Sequence, residues 1–203
     1  MNKIYLTSIE AKPLIKECDV LFVSGIEWFS PLVKWWTKSQ YSHVALASWA
    51  NTNLLEIIEF HAARGGGATI NYNSYFPKYT GNVDVYRPDI QYEDRVFNTI
   101  TKDVDTHFIP LDQKAITNDM RALTGIPYGY RRLLKMFTEL FSTSAEDLTS
   151  DNRCDIIYPV CSTAVAYCFE KNGFLLLRHR NYEWMTPGDL AMSPTLNYLF
   201  TIT

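Results

Sequence analysis

The sequence predicts an α+β domain in which an antiparallel sheet packs against helices, and three observations point there. Runs with strand character come first, between Asp19 and Arg87, and stretches with helical periodicity come later, between Val96 and Asn172. Two of the early runs are joined by a short polar turn, as in a hairpin. No internal repeat, low-complexity tract or linker divides the 203 residues, so 1–203 reads as a single domain.

In chain order, Asp19-Val20-Leu21-Phe22-Val23-Ser24-Gly25 is an apolar run closed by a turn residue, which fits a buried strand. Ser30-Pro31 supplies an N-cap and a proline at the first helical position; the helix it opens is expected to run through Leu32, Val33, Trp35 and Trp36 to about Lys38. Ser42 to Ala47 and Leu54 to Phe60 are strands flanking the turn Asn51-Thr52-Asn53. Gly65-Gly66-Gly67 marks a loop, and Asn82 to Arg87 alternates like a further strand. After Pro88, Val96, Ile100 and Val104 recur every four residues, as do Ile116 and Met120 with Leu111 and Leu123 nearby; both stretches predict amphipathic helices. Tyr128 to Phe137 predicts another, entered through Gly125-Ile126-Pro127, and Ser142 to Arg153 is a polar surface excursion. The last helix runs from Cys161 to about Asn172, introduced by Pro159 and ended by Gly173.

Composition excludes several classes. With 47% apolar and 14% aromatic residues and a net charge of −3, the chain is neither disordered nor a general polyanion binder, and no nucleic-acid partner is expected. The first ten residues lack the apolar core of a secretory signal, and no stretch approaches a membrane span, so a cytoplasmic location is expected. In a reducing compartment Cys18, Cys154, Cys161 and Cys168 are expected as free thiols. There is no Cys-x-x-Cys and no His pair at helical spacing, so no zinc site or other metal is expected.

One cysteine sits where thiol chemistry is favoured. Cys161 falls in the first turn of its helix, where unpaired N–H groups and the positive dipole end stabilise a thiolate and can hold an oxyanion. Cys168, two turns deeper, is a core position; Cys18 and Cys154 have no helix start behind them. A thiol nucleophile needs a base, and His43, opening an apolar strand, is the best placed of four histidines. His61 ends the next strand, either at the surface or on a sheet face shared with His43, whereas His107 closes a helix and His179 lies in a basic stretch. An orienting acid should come from the neighbouring strand, where Glu56 and Glu59 have opposite parity and point to opposite faces. Residue types alone leave that choice open, and leave Cys161 either reactive or packed.

Taken in order, these segments resemble the YiiX-like (YiiX/YebB-like) family of circularly permuted NlpC-type, papain-like cysteine hydrolases. The matching pieces are Asp19 to Phe22, Ser30 to Ser39, Tyr41-Ser42-His43-Val44-Ala45, Ile58-Glu59, Gly125-Ile126-Pro127-Tyr128, Cys161-Ser162-Thr163-Ala164-Val165 and Thr186 to Ala191 with Ser193-Pro194. The resemblance spans nearly the whole chain. It implies a papain-like fold with a small antiparallel sheet or barrel packed against helices. It also implies Cys161 as nucleophile, His43 as base and Glu59 as the group orienting His43. Phe60 stands where the family has a small residue, which keeps Glu56 as an alternative. Tyr128 matches a family tyrosine, a donor to the oxyanion or thiolate or else a packed aromatic. The implied reaction is amide or ester cleavage through a thioester, with no cofactor, on a cell-wall-type peptide or lipid-linked substrate. A lipid acyltransferase of the same fold and a non-catalytic binding module are the rival readings. Trp35 and Trp36, with Trp28 and Phe29, either line a substrate pocket, meet a membrane surface peripherally, or simply pack on the sheet. Arg131, Arg132 and Lys135 form a basic run that either meets an anionic group or is a solvated helix face.

Overall fold

The structure is a computed structural model; it describes residues 3–25, 34, 38–78, 81–89, 93–97, 104–108, 111–132, 159–177 and 181–203. The strands are β1 (Tyr5–Leu6), β2 (Val20–Gly25), β3 (His43–Asn51), β4 (Leu54–His61), β5 (Gly66–Asn71), β6 (Gly81–Pro88), β7 (Glu93–Phe97), β8 (Val104–Phe108) and β9 (Leu196–Ile202). The α-helices are α1 (Ser8–Ala11), α2 (Tyr72–Tyr75), α3 (Gln113–Ala122), α4 (Cys161–Lys171) and α5 (Pro187–Ala191).

Seven strands form one sheet in the order β1-β9-β6-β2-β3-β4-β5, and β7 and β8 form a separate pair. Every pairing in the large sheet is antiparallel except β1 with β9. The sheet is larger than the small one expected, because β5, β1 and β9 extend it beyond the strands visible in the hydropathy pattern.

Both faces of the central strands are covered, which explains why β2 is a continuous apolar run and not an alternating one. Val20 and Phe22 pack in one cluster with Ala164, Val165 and Phe169 of α4 and Ile116 and Met120 of α3. Leu21 and Val23 pack in the other, with Leu55, Ile57, Tyr72 and Tyr75. α3 begins where Asp112 accepts the N–H of Ala115, as its amphipathic pattern requires.

Two expectations are corrected. The stretch containing Val96 and Val104 is not helical but forms β7 and β8, paired with Phe97 opposite Val104. A spacing of four is a multiple of two as well as close to 3.6, so it marks one face of a strand as readily as one face of a helix. The β-branched residues there tip the balance toward strand. His107 therefore lies in β8, opposite Asp94, and closes no helix. The glycine triplet is not all loop: Gly65 makes the turn with φ 78°, and Gly66 and Gly67 open β5.

The helix expected from Ser30 lies outside the described residues except for Lys34, which is helical, so Trp28, Phe29, Trp35 and Trp36 are not described. Of the helix expected from Tyr128 to Phe137, residues 128–132 are described: Tyr128 and Gly129 are not helical, and 130–132 are. The excursion 142–153, Cys154, Lys135 and His179 also lie outside the described residues. Among the described residues no helix is long and apolar enough to cross a membrane.

Candidate active site

The site forms at one end of the large sheet, where β2 and β4 finish and β3 and β5 begin. His43 is the first residue of β3 and is buried. Its place in the sheet decides which acid it meets. Ala45 pairs with Glu59 across the β3–β4 ladder, and His43 shares a face with Ala45 two residues on, so Glu59 is its diagonal neighbour. The Glu59 carboxylate lies 2.8 Å from His43 Nε2 and is fully buried. Glu56 pairs with Ser48 on the opposite face and is held by Arg121 at 2.8 Å. Phe60 is accommodated by its partner across the ladder: it pairs with Gly67, where a Cβ would come within 2.8 Å of the Phe60 ring.

Cys161 is buried at the start of α4. The residue before it, Val160, has no polar side chain to cap the helix; its own N–H is accepted by Thr163 Oγ1 at 3.0 Å. The first-turn N–H groups are therefore left for the site. The Cys161 thiol lies beside the His43 imidazole and the backbone N–H groups of Val44 and Ser162, which act on it electrostatically. With Nε2 engaged by Glu59, Nδ1 is the ring nitrogen left for the sulfur.

The charges are coupled. Burial alone would push the Cys161 thiol up, but the His43 imidazolium and the two N–H groups outweigh it and hold the thiol below its usual value. Burial alone would push His43 down; the Cys161 sulfur and Glu59 outweigh it and raise the imidazole. The two directions agree, and both favour a thiolate–imidazolium pair.

Tyr128 lies beside Cys161. Burial first, then the Cys161 sulfur beside it, push its phenol well above the usual value, so the hydroxyl stays protonated as a donor. It reaches both the sulfur and the backbone N–H of Cys161. The segment that carries it is clamped to the start of β5: Tyr128 N–H donates to Gly65 O at 2.8 Å and Gly67 N–H to Ile126 O at 3.0 Å. A Cβ on Gly66 would lie 2.0 Å from Ile126 O, so glycine is required for the approach.

Two neighbours were not singled out by the sequence. His61, for which the sequence left a surface position and a face shared with His43 both open, is buried, and its ring packs edge-on against that of His43 at 5.0 Å between centroids. Arg64 Nε donates to the second Glu59 oxygen at 3.0 Å. The register gives a signal for His61, which falls opposite His43, but none for Arg64, which reaches back from a tight turn. Elsewhere, Cys18 and Cys168 are free and buried in the core, and Cys168 lies 3.9 Å from the Met120 sulfur. Arg131 is exposed and Arg132 lies 3.5 Å from Glu183.

No protein-family model matches the chain, and no curated protein does. Among solved structures the chain is similar to one described as metalloprotein YiiX from Escherichia coli O157:H7, with TM-score 0.58 and 13% identity over 91% of this chain and 96% of that one. The residues at the site do not fit a metal ion. Among the described residues no group of three or more His, Cys, Asp or Glu is arranged to hold one. The one buried carboxylate at the site already accepts from His43 on one oxygen and from a guanidinium on the other, a cation that opposes a second. What the likeness establishes is architecture: this chain, with its seven-stranded sheet and flanking helices, has the fold of YiiX.

Proposed function

We propose that the protein is a papain-like thiol hydrolase that cleaves an amide or ester bond through a thioester, with Cys161 as nucleophile, His43 as base and acid, and Glu59 orienting His43. One observation carries this reading: a buried cysteine at an uncapped helix start faces an imidazole whose far nitrogen is held by a buried carboxylate. The nucleophile–base–orienter order is that of a triad: one hairpin supplies His43 and Glu59, and a helix far along the chain supplies Cys161.

In this mechanism the Cys161 thiolate attacks the carbonyl carbon, and the carbonyl π-electrons move to oxygen. First-turn N–H groups of α4 and the Tyr128 hydroxyl are the donors available to that oxyanion. Collapse expels the amine or alcohol, which takes a proton from His43. Water, losing a proton to His43, then attacks the thioester and releases the acid and the thiolate. The substrate class this reading carries is a cell-wall-type peptide or lipid-linked amide or ester.

The test is the pH profile of Cys161 carboxamidomethylation by iodoacetamide, followed on the Cys161 peptide by mass spectrometry. Because the Cys161 thiol is held low and His43 is raised, the parent should react well below the ordinary thiol value of about 8.5. The sign follows from the two shifts. The ion pair forms as pH rises through the lowered Cys161 value, and it is lost as pH rises through the raised His43 value, which ends proton donation to the leaving group. His43→Ala should move the alkylation midpoint up toward the ordinary thiol value, and Cys161→Ala should abolish acylation by an ester probe with folding intact. An unchanged profile in His43→Ala would overturn the proposal.

A further inference from the structure

We propose that Arg64 is a charge-compensating positioning residue: by pairing with Glu59 it makes that carboxylate act on His43 as a nearly neutral acceptor. The inference rests on the thiolate–imidazolium reading of the site and adds a control on its working pH. A buried carboxylate with nothing to offset it would bind the His43 proton tightly, whereas the leaving group must be able to take that proton. A carboxylate shared with a guanidinium still fixes the ring through one hydrogen bond but presents little net charge.

The geometry for this is built locally. Arg64 ends a short 3-10 turn, Ala62–Arg64, that follows β4 directly. His61 Nδ1 accepts the Ala63 N–H at 3.2 Å, Gly65 closes the turn in the left-handed region, and the Tyr130 hydroxyl donates to Ala62 O at 2.7 Å. The turn therefore sends Arg64 back onto a residue five positions earlier, with Nε 3.0 Å from Glu59 Oε1 while Oε2 takes His43. The side chain is 35% exposed, so its charge can be removed without opening the core.

The titratable and charged groups around the pair come from every element packed there. Cys161 faces it from the start of α4, Tyr128 from the segment after α3, with the Tyr130 ring tilted against it, and His61 from the end of β4. Lys34 is held at the end of β2 by Gly25 O at 2.7 Å. Glu59 pairs on its two sides with Ala45 and Ala68, which bring no charge. Arg64 is thus a cation in direct contact with the carboxylate. Removing a positive charge raises the proton affinity of every group near it, so both the Cys161 and the His43 midpoints should move the same way, upward.

The experiment follows iodoacetamide alkylation of the Cys161 peptide across pH in the full chain. Two inflections are expected, one for thiolate formation and one for loss of the imidazolium. Arg64→Gln should raise both by about one pH unit, Arg64→Lys should leave them near the parent, and the double variant Glu59→Gln/Arg64→Gln, neutral at both positions, should return them close to the parent. Arg64→Met replaces Arg64→Gln if that variant fails to fold. Inflections unmoved in Arg64→Gln, with a parent that shows the lowered thiol, would overturn the role of Arg64 and leave the proposed function standing. A double variant shifted as far as Arg64→Gln alone would overturn it too, since a purely structural loss is not repaired by neutralising Glu59. A parent with one inflection at the ordinary thiol value would sink both.

Discussion

At the scale of single residues, the site turns on which carboxylate meets the imidazole, and stability should report it. Glu59 is fully buried between His43 and Arg64, so Glu59→Ala strands an imidazole and a guanidinium that both lose their acceptor. The expected cost is about 3–5 kcal/mol. Glu56→Ala breaks a half-exposed pair with Arg121 and should cost about 1 kcal/mol. Urea unfolding of the two variants checks the contrast; equal losses would place the orienting acid wrongly. His43 adds a pH dependence of its own. Its folded value is raised, so its contribution to stability is fully present below the unfolded imidazole value of about 6.5 and is lost as pH rises through the folded one. Cys161 and His43 are both legible in the amino-acid sequence, because a helix start and a strand start are local features. The contact of Arg64 with Glu59 is not, since a turn that folds back on its own strand leaves no periodic trace.

At the scale of elements, the clamp between β5 and the segment 125–129 places Tyr128, and three consecutive glycines make it feasible. They are not equivalent. A methyl on Gly66 would meet Ile126 O, a backbone atom, at 2.0 Å, and one on Gly67 would meet Leu123 O at 2.6 Å; Gly65 has open space but a left-handed φ of 78°. Gly66→Ala should therefore cost about 3 kcal/mol and slow acylation of Cys161, because the segment carrying Tyr128 must move. Gly65→Ala should cost about 1–2 kcal/mol from backbone strain and leave acylation rates close to the parent. Thermal unfolding and burst-phase acylation by an ester probe separate the two. A Gly66→Ala variant as fast as the parent would detach the clamp from the chemistry. The element that sequence periodicity misassigned, β7 with β8, failed for a specific reason: apolar residues four apart satisfy two periods at once, and only pairing with another strand distinguishes them.

At the scale of the whole molecule, both ends of the chain are tied into the sheet that carries the site. Tyr5 pairs in parallel with Thr201, and Lys3 reaches Asp84 on β6 at 3.0 Å. Asp84 also accepts from Tyr41 at 2.6 Å, two residues before His43, and from Thr201 on β9. One buried carboxylate thus joins the N-terminal strand, the C-terminal strand and the entry to β3. Asp84→Ala leaves the Tyr41 and Thr201 hydroxyls without that acceptor and should cost about 2–4 kcal/mol by urea unfolding. A loss well under 1 kcal/mol would mean that water replaces the carboxylate at no penalty.

The amino-acid sequence by itself determined the central strands, the α4 helix with Cys161 at its start, and the pairing of a thiol with His43 as the chemistry to look for. These follow from hydropathy period, turn residues and helix-end signals, all of which act over a few neighbouring positions. Tertiary structure alone decided that Glu59 and not Glu56 lies beside His43, that Arg64 shares its carboxylate, and that Tyr128 reaches the sulfur. Each depends on strand register or on a close approach between distant backbones. A shift of one residue in the β3–β4 ladder would turn Glu59 to the opposite face of the sheet, away from the imidazole, and no local propensity sets that register.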